Sequence, residues 1–142
     1  MPTFENSLTI PAPPDEVFAA ISDPLRLARW WGPEGFSNTF HVCEFKPGGK
    51  WSLVMHGPNG GHYPNESVFA EIEPSKRVVV EHSSNPAYRL AITLEPAAEG
   101  TTVTWAQTFA DPELARRMEP IVVPANAQNL DRLAAEVRGA RP

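Results

Sequence analysis

Four histidines and one cysteine are the first residues in this sequence to consider for chemistry. His56 and His62 flank a glycine-rich turn, but no Asp, Glu or third His at ligand spacing accompanies them, so the sequence predicts no metal site. Cys43 has no disulfide partner, and its apolar, alternating surroundings predict a small buried side chain. No serine lies in a nucleophile-elbow motif, and no nucleophilic triad can be assembled. The sequence therefore favours neither a metalloenzyme nor a hydrolase, and it predicts no cofactor.

One of these histidines, His82, and the carboxylate residue Glu71 lie in segments that alternate like strands. A neutral imidazole both donates and accepts hydrogen bonds, so His82 can bind the polar head of a ligand or satisfy a buried partner. Glu71 can serve as an acid or a base. Whether either residue acts on a ligand depends on which face of the sheet it occupies.

A domain of ordinary size must position these residues. The 142 residues fit one domain, 1–142, and 12 basic against 17 acidic residues give a net charge of −5. No basic run is longer than a pair, so nucleic acid is a poor partner. No apolar run approaches the roughly 18 residues of a membrane span, and the N-terminus lacks the features of a signal peptide. We expect a cytoplasmic protein.

The first part of the chain has the spacing of a strand followed by two short helices. Residues 3–10 alternate apolar and polar side chains, which predicts a half-buried strand. Helical spacing begins at Asp15, and Asp23 followed by proline indicates a second helix start. The two helices are expected to end near Trp30 and Trp31.

The remainder predicts an antiparallel meander and a terminal helix. Asp111 begins a short helix that Pro120 interrupts, and a terminal helix with one apolar face follows. That face consists of Leu130, Leu133, Ala134 and Val137. Alternation or β-branched residues predict six strands at 39–46, 50–56, 62–73, 77–83, 88–95 and 101–109. The order indicates an α+β fold, with a curved antiparallel sheet of six or seven strands wrapped around a long C-terminal helix.

Turn lengths predict which side chains face the helix, because a one-residue slip would exchange the two faces of a strand. A tight turn at Pro74 and Ser75 fixes one register, and a five-residue turn from Gly57 to Gly61 fixes another. The predicted pairs are Val78 with Glu71, Val80 with Phe69, His82 with Ser67, His56 with His62, Met55 with Tyr63, and Leu53 with Asn65. Apolar sets on the last two strands extend this inner face.

The predicted inner face carries more polar groups than a dry core tolerates. They are Tyr63, Asn65, Ser67, Glu71, His82 and Gln107. Each would cost about 1 to 3 kcal/mol if buried without a partner. Either these groups satisfy each other or they line a ligand-sized pocket. We expect such a cavity between sheet and helix, with these ligand-binding residues: Trp30, Trp51, Met55, Tyr63, Phe69, His82, Trp105 and Gln107.

Four short motifs carry a resemblance to a known family. They are Trp30-Trp31-Gly32-Pro33, Pro47-Gly48-Gly49-Lys50-Trp51, Met55-His56-Gly57-Pro58-Asn59 and Glu71-Ile72-Glu73-Pro74. In this order, over nearly the whole chain, they resemble the START-like (SRPBCC) superfamily, in its branch of homologues of the activator of the 90-kDa heat-shock protein ATPase. The resemblance implies a helix-grip fold like that of the birch pollen allergen. It also implies that Glu71 forms a structural ion pair near its turn.

Three functions remain open at this level. The first is a protein that binds a small apolar or amphipathic molecule, with no catalytic residues. The second is a cyclase- or dehydratase-like enzyme that uses His82 with Tyr63 or Glu71. The third, implied by the resemblance, is a co-chaperone-like module with a chaperone partner. We rank it last, because we do not expect here the upstream domain that the eukaryotic co-chaperones carry. A homodimer and a monomer are both compatible with the sequence.

Overall fold

The N-terminal segment forms one strand and two short helices. The computed structural model describes residues 3–84 and 86–139. β1 comprises Thr3–Ile10, α1 Pro14–Ser22 and α2 Pro24–Trp30. Each helix begins with a proline, whose missing N–H costs nothing in the first turn. The Asp23 carboxylate accepts a hydrogen bond from the backbone N–H of Leu25 at 3.0 Å and so caps α2.

Six more strands complete a single antiparallel sheet. They are β2 Ser37–Cys43, β3 Lys50–His56, β4 His62–Glu73, β5 Arg77–His82, β6 Tyr88–Ala97 and β7 Gly100–Phe109. The sheet order is β1-β7-β6-β5-β4-β3-β2, and every neighbouring pair is antiparallel. The predicted α+β class is confirmed, with seven strands. β2 ends before residue 46 because the following segment turns back tightly, and a Cβ on Gly49 would lie 1.9 Å from the Glu44 carbonyl oxygen.

The strand register confirms most of the predicted pairs. β3 and β4 pair Met55 with Tyr63, Leu53 with Asn65 and His56 with His62. β4 and β5 pair His82 with Ser67 and Val80 with Phe69. These pairs follow the turn lengths read from the sequence.

The predicted pair of Val78 with Glu71 is wrong. A bulge between Phe69 and Glu71 shifts the register, so that Glu71 lies opposite Val79 and Ile72 lies opposite Val78. Ile72 therefore packs against the core, while the Glu71 carboxylate lies 2.7 Å from a guanidinium nitrogen of Arg89. An extra residue in one strand exchanges the faces beyond it. Glu71 forms the ion pair that the resemblance implied, but away from the inner face.

The C-terminal helix, α3, runs without interruption over Pro112–Gly139 and contains Pro120 and Pro124. The predicted break at Pro120 does not occur. Both prolines lie on the exposed side of the helix. Because Pro120 has no N–H, the carbonyl of Arg116, which is also exposed, loses its helical hydrogen bond. Water can satisfy the carbonyls that prolines leave unpaired on an exposed face, so the helix continues through them. None of the helices in the described part of the chain is long and apolar enough to cross a membrane.

The main hydrophobic core lies between the second half of α3 and the sheet. The predicted helix face is buried there, with Leu130, Leu133, Ala134 and Val137 each at most 3% exposed. They pack with inward residues of β5, β6 and β7 and with α1 and α2. A smaller cluster of Phe109, Ala115 and Val122 lies under the first half of α3. The helix is therefore firmly packed at one end and thinly packed at the other.

Candidate functional site

A cavity of about 570 Å³ opens between the inner face of the sheet and the first half of α3. α3 supplies Met118, Ile121 and Val122, and β3 to β7 supply most of the remaining wall. The other lining residues are Phe36, Met55, Tyr63, Pro64, Asn65, His82, Pro86, Tyr88, Gln107 and Phe109. The walls are mainly apolar with a few amide, imidazole and hydroxyl groups, and this composition is typical of small-molecule sites.

Four of the eight residues expected at a binding site lie in this wall: Met55, Tyr63, His82 and Gln107. Trp105 lines a smaller cavity of about 120 Å³ that shares Met55, Tyr88 and Gln107 with the first. We call the two the main cavity and the inner cavity. The expected residues Trp30, Trp51 and Phe69 lie in neither.

Trp30, Trp51 and Phe69 belong to an aromatic cluster that fills the fold beside the inner cavity. The Trp51 and Phe69 rings stack with centroids 5.2 Å apart, and the Trp31 and Trp51 rings meet edge to face at 4.7 Å. The Trp30 indole N–H donates to the Ala20 carbonyl at 2.9 Å. These aromatic rings pack against one another and leave no ligand-sized space between them. The main cavity is therefore confined to the end of the sheet that lies under residues 118–122 of α3.

His82 is buried in the wall of the main cavity, and both of its ring nitrogens face protein atoms. Nδ1 donates to the Pro86 carbonyl at 2.8 Å. Nε2 lies against the Asn65 side-chain oxygen, with the Ser84 hydroxyl 3.3 Å away. Burial lowers the pKa of His82 from its ordinary value of 6.5, while the hydrogen bonds to backbone at Pro86 and Ser84 oppose that change. The imidazole therefore uses its hydrogen-bonding capacity within the protein.

Tyr88 is one of several residues in the wall of the main cavity that were not among the eight expected from the sequence. Its ring stacks on the His82 ring with centroids 4.4 Å apart and meets Phe109 edge to face at 5.7 Å. The alternation of Leu90, Ile92 and Leu94 extends back to position 88, so the signal for an inward side chain was present. Burial strongly raises the pKa of the Tyr88 hydroxyl, which keeps it protonated at neutral pH.

Gln107 is held by a residue of α3. The Asn126 side-chain N–H donates to the Gln107 side-chain oxygen at 3.0 Å. Asn129, one helical turn further on, accepts from the Gly32 N–H and donates to the Trp30 carbonyl. Both asparagines continue the buried face of α3 at helical spacing, a pattern that could have revealed them.

Arg132 fixes the loop between α2 and β2, which carries Phe36 into the cavity wall. Its guanidinium donates to five backbone carbonyls at 2.8 to 3.2 Å. They belong to Arg29, Trp31, Gly32, Pro33 and Phe36. Burial lowers the pKa of Arg132 from its ordinary value, but a guanidinium remains charged at physiological pH. The charge of Glu34 opposes the effect of burial, while the five carbonyl contacts hold the loop in its conformation.

The other polar candidates lie outside the cavity. His56 and His62 face each other across their hairpin, with their Nδ1 atoms 2.8 Å apart and the His56 Nε2 atom 2.7 Å from the Thr39 hydroxyl. Within residues 3–84 and 86–139 no group of three or more His, Cys, Asp or Glu could hold a metal ion. Cys43 is partly buried against the core, and burial raises the pKa of its thiol to about 11.

A curved antiparallel sheet closed by a long helix over an apolar cavity defines a helix-grip domain of the START-like class. The family model described as "Activator of Hsp90 ATPase homolog 1-like protein" matches residues 11–138. The chain belongs to that family. A comparison with curated proteins finds no match.

Solved structures share the fold over nearly the whole chain. A protein from Chromobacterium violaceum is 26% identical, with a TM-score of 0.83, and the alignment covers 95% of this chain and 96% of that one. A protein from Arthrobacter aurescens is 24% identical, with a TM-score of 0.88 and coverage of 96% and 86%. The AHSA1 protein from Silicibacter pomeroyi is 22% identical, with a TM-score of 0.79 and coverage of 99% and 100%.

Proposed function

We propose that this protein binds a small apolar or amphipathic molecule in the main cavity. The observation that carries the proposal is a cavity of about 570 Å³ whose wall is mostly hydrocarbon but includes a few oriented polar groups. Exposed apolar surface at its rim supports entry of an apolar ligand, since Ile121 is 68% and Tyr63 45% exposed. Met55, Tyr63, His82 and Gln107 would contact the ligand, together with Tyr88. A cytoplasmic location also stays a prediction.

Filling the main cavity tests this function. Val122 is buried in the cavity wall and Leu25 is 78% exposed on α2, so the same new side chain can be placed inside or outside. We expect Val122→Trp to weaken binding of the uncharged fluorophore N-phenyl-1-naphthylamine by about tenfold or more, because the indole takes the ligand's space. Leu25→Trp should bind it as the wild type does. Fluorescence titration of folded, purified variants measures both.

Equal affinity of Val122→Trp and wild type would show that the fluorophore binds elsewhere, and the proposal would fail. Native mass spectrometry of protein purified without detergent adds an independent measurement. A retained small molecule that is lost in Val122→Trp but kept in Leu25→Trp would support the same cavity.

An acid–base enzyme in the same cavity has less support. A cyclase or dehydratase needs a proton donor or acceptor free to reach its substrate. The His82 nitrogens face Pro86, Asn65 and Ser84, and Glu71 lies on the other face of the sheet beside Arg89.

A co-chaperone-like role is the second candidate, and the family description favours it. Such a role needs an exposed apolar surface for a protein partner. Of the exposed large apolar side chains, Ile121 and Tyr63 line the cavity, whereas Leu25 and Val68 do not. Ligand entry accounts for the exposure of Ile121 and Tyr63, so these side chains do not by themselves require a protein partner. We therefore rank the co-chaperone role second. Self-association into a homodimer is compatible with either role.

A further inference from the structure

Two donor groups where the main cavity meets the inner cavity have no hydrogen-bond partner among the described residues. The Gln107 oxygen accepts from Asn126, which leaves the Gln107 amide N–H groups without a partner among the described residues. The Tyr88 hydroxyl likewise makes no hydrogen bond within residues 3–84 and 86–139, while its ring is fixed by His82 and Phe109. Both free groups are donors, since the hydroxyl is protonated at neutral pH.

The strand register brings these donors to one place. Tyr88 lies opposite Phe109, and Gln107 lies opposite Leu90, so Tyr88 and Gln107 are diagonal neighbours on the inner face. Diagonal positions are about 7 to 8 Å apart, within reach of a shared third atom for long side chains. Both residues line the main cavity and the inner cavity. The donors therefore mark the junction of the two spaces.

Charge restricts what can bind at this junction. No Lys, Arg, Asp or Glu is among the described residues that line either cavity. His82 also lies in the wall, but its ring nitrogens contact the Pro86 carbonyl and the Asn65 and Ser84 side chains and do not face the cavity as a free counter-charge. An ion brought into this apolar space would lose its hydration without gaining a counter-charge. The cavity thus favours an uncharged ligand.

We propose that the ligand is an uncharged molecule with a carbonyl-type oxygen that accepts hydrogen bonds from the Tyr88 hydroxyl and the Gln107 amide. This inference rests on the proposed binding function and specifies the class of ligand. The apolar part of the molecule lies in the main cavity against Met118, Ile121 and Val122. The Asn126 oxygen also has no partner among the described residues, but as an acceptor it does not compete for the carbonyl.

Three probes that share a naphthalene ring separate the contributions of shape, acceptor and charge. They are 2-propionylnaphthalene, a ketone; 2-propylnaphthalene, the corresponding hydrocarbon; and 2-naphthoate, a carboxylate. Tyr88→Phe is the main variant, because it removes only a hydroxyl that has no partner among the described residues and keeps the stacked ring. Thr104→Val is the matched control, since it removes a hydroxyl from the outward face of β7 at a residue that lines neither cavity. Intrinsic fluorescence or calorimetric titration gives each affinity.

We expect Tyr88→Phe to weaken ketone binding about threefold to tenfold, the loss of one neutral hydrogen bond. Its affinity for the hydrocarbon should change by less than about twofold, and Thr104→Val should leave the affinity for both probes unchanged. Gln107→Met, the second variant, should show the same selectivity against the ketone. The carboxylate should bind more weakly than the ketone to the wild type.

The results that would overturn the inference differ from those that would overturn the binding function. If the hydrocarbon binds in the main cavity but Tyr88→Phe and Gln107→Met affect both uncharged probes equally, the carbonyl assignment is wrong and the binding function stands. Carboxylate affinity equal to that of the ketone would also contradict the assignment. If none of the three probes binds the wild type, the binding function fails as well.

Discussion

His82 couples the stability of the protein to pH through its burial. Its folded-state pKa lies below the unfolded value of 6.5, because burial disfavours the imidazolium. Between those two values the unfolded chain binds the proton and the folded chain does not. The contribution to stability is therefore fully present above pH 6.5 and is lost as the pH falls through the folded-state pKa.

We expect urea denaturation to show this loss in the wild type and not in His82→Gln, which cannot titrate. The difference in unfolding free energy between the two proteins should shrink as the pH falls from 7.5 towards 5. His41, His56 and His62 are common to both proteins, so their contributions cancel in the difference. A difference that is constant with pH would show that the His82 pKa is not lowered by folding.

The sequence could predict the position of His82 but not its partners. Turn length determines the pairing with Ser67, and alternation then gives the face. The contacts with Pro86 and Ser84 depend on the path of the loop after β5, which no periodic pattern encodes. For that reason the sequence placed an imidazole at the cavity without revealing that its nitrogens face the protein.

Elements with a regular repeat were predictable, and their irregularities were not. All seven strands and both short helices follow from alternation, turn residues and N-terminal prolines. The bulge before Glu71 has no sequence signal of its own, because Ala70 fits a strand as well as a bulge. Pro120 was expected to end a helix, but its exposed position lets α3 continue. The site depends on these irregularities, since the bulge removes Glu71 from the inner face.

The connection between α3 and the loop at residues 31–36 depends on Arg132. We expect Arg132→Lys to lower the unfolding free energy by about 1 to 3 kcal/mol, because an ammonium has three donors and cannot form the planar fork that reaches five carbonyls. Arg138→Lys, an exposed change in the last turn of the same helix, should have almost no effect. Urea denaturation with an unchanged m-value measures both. Equal stability of the two variants would contradict the role assigned to Arg132.

Along α3, the second half of the helix is densely packed against the core and the first half is sparsely packed. Residues 130–137 of the helix contribute four side chains to the main core, whereas the first half contributes Ala115 and Val122 to a small cluster. Pro120 and Pro124 further remove two backbone hydrogen bonds from the first half. The cavity lies under this weak half, so the part of the helix that would contact a ligand is also the part that opens most easily.

Hydrogen exchange should reveal this division in the intact protein. We expect backbone amides between 114 and 123 to exchange about tenfold or more faster than those between 129 and 137, because fewer buried contacts and hydrogen bonds oppose local opening. Saturating 2-propionylnaphthalene should slow the first group, since Met118, Ile121 and Val122 line the cavity, and leave the second nearly unchanged. Val122→Trp supplies the control, because the probe should no longer protect its first half. Uniform exchange along α3 would contradict the division, and protection confined to residues 129–137 would place the ligand outside the main cavity.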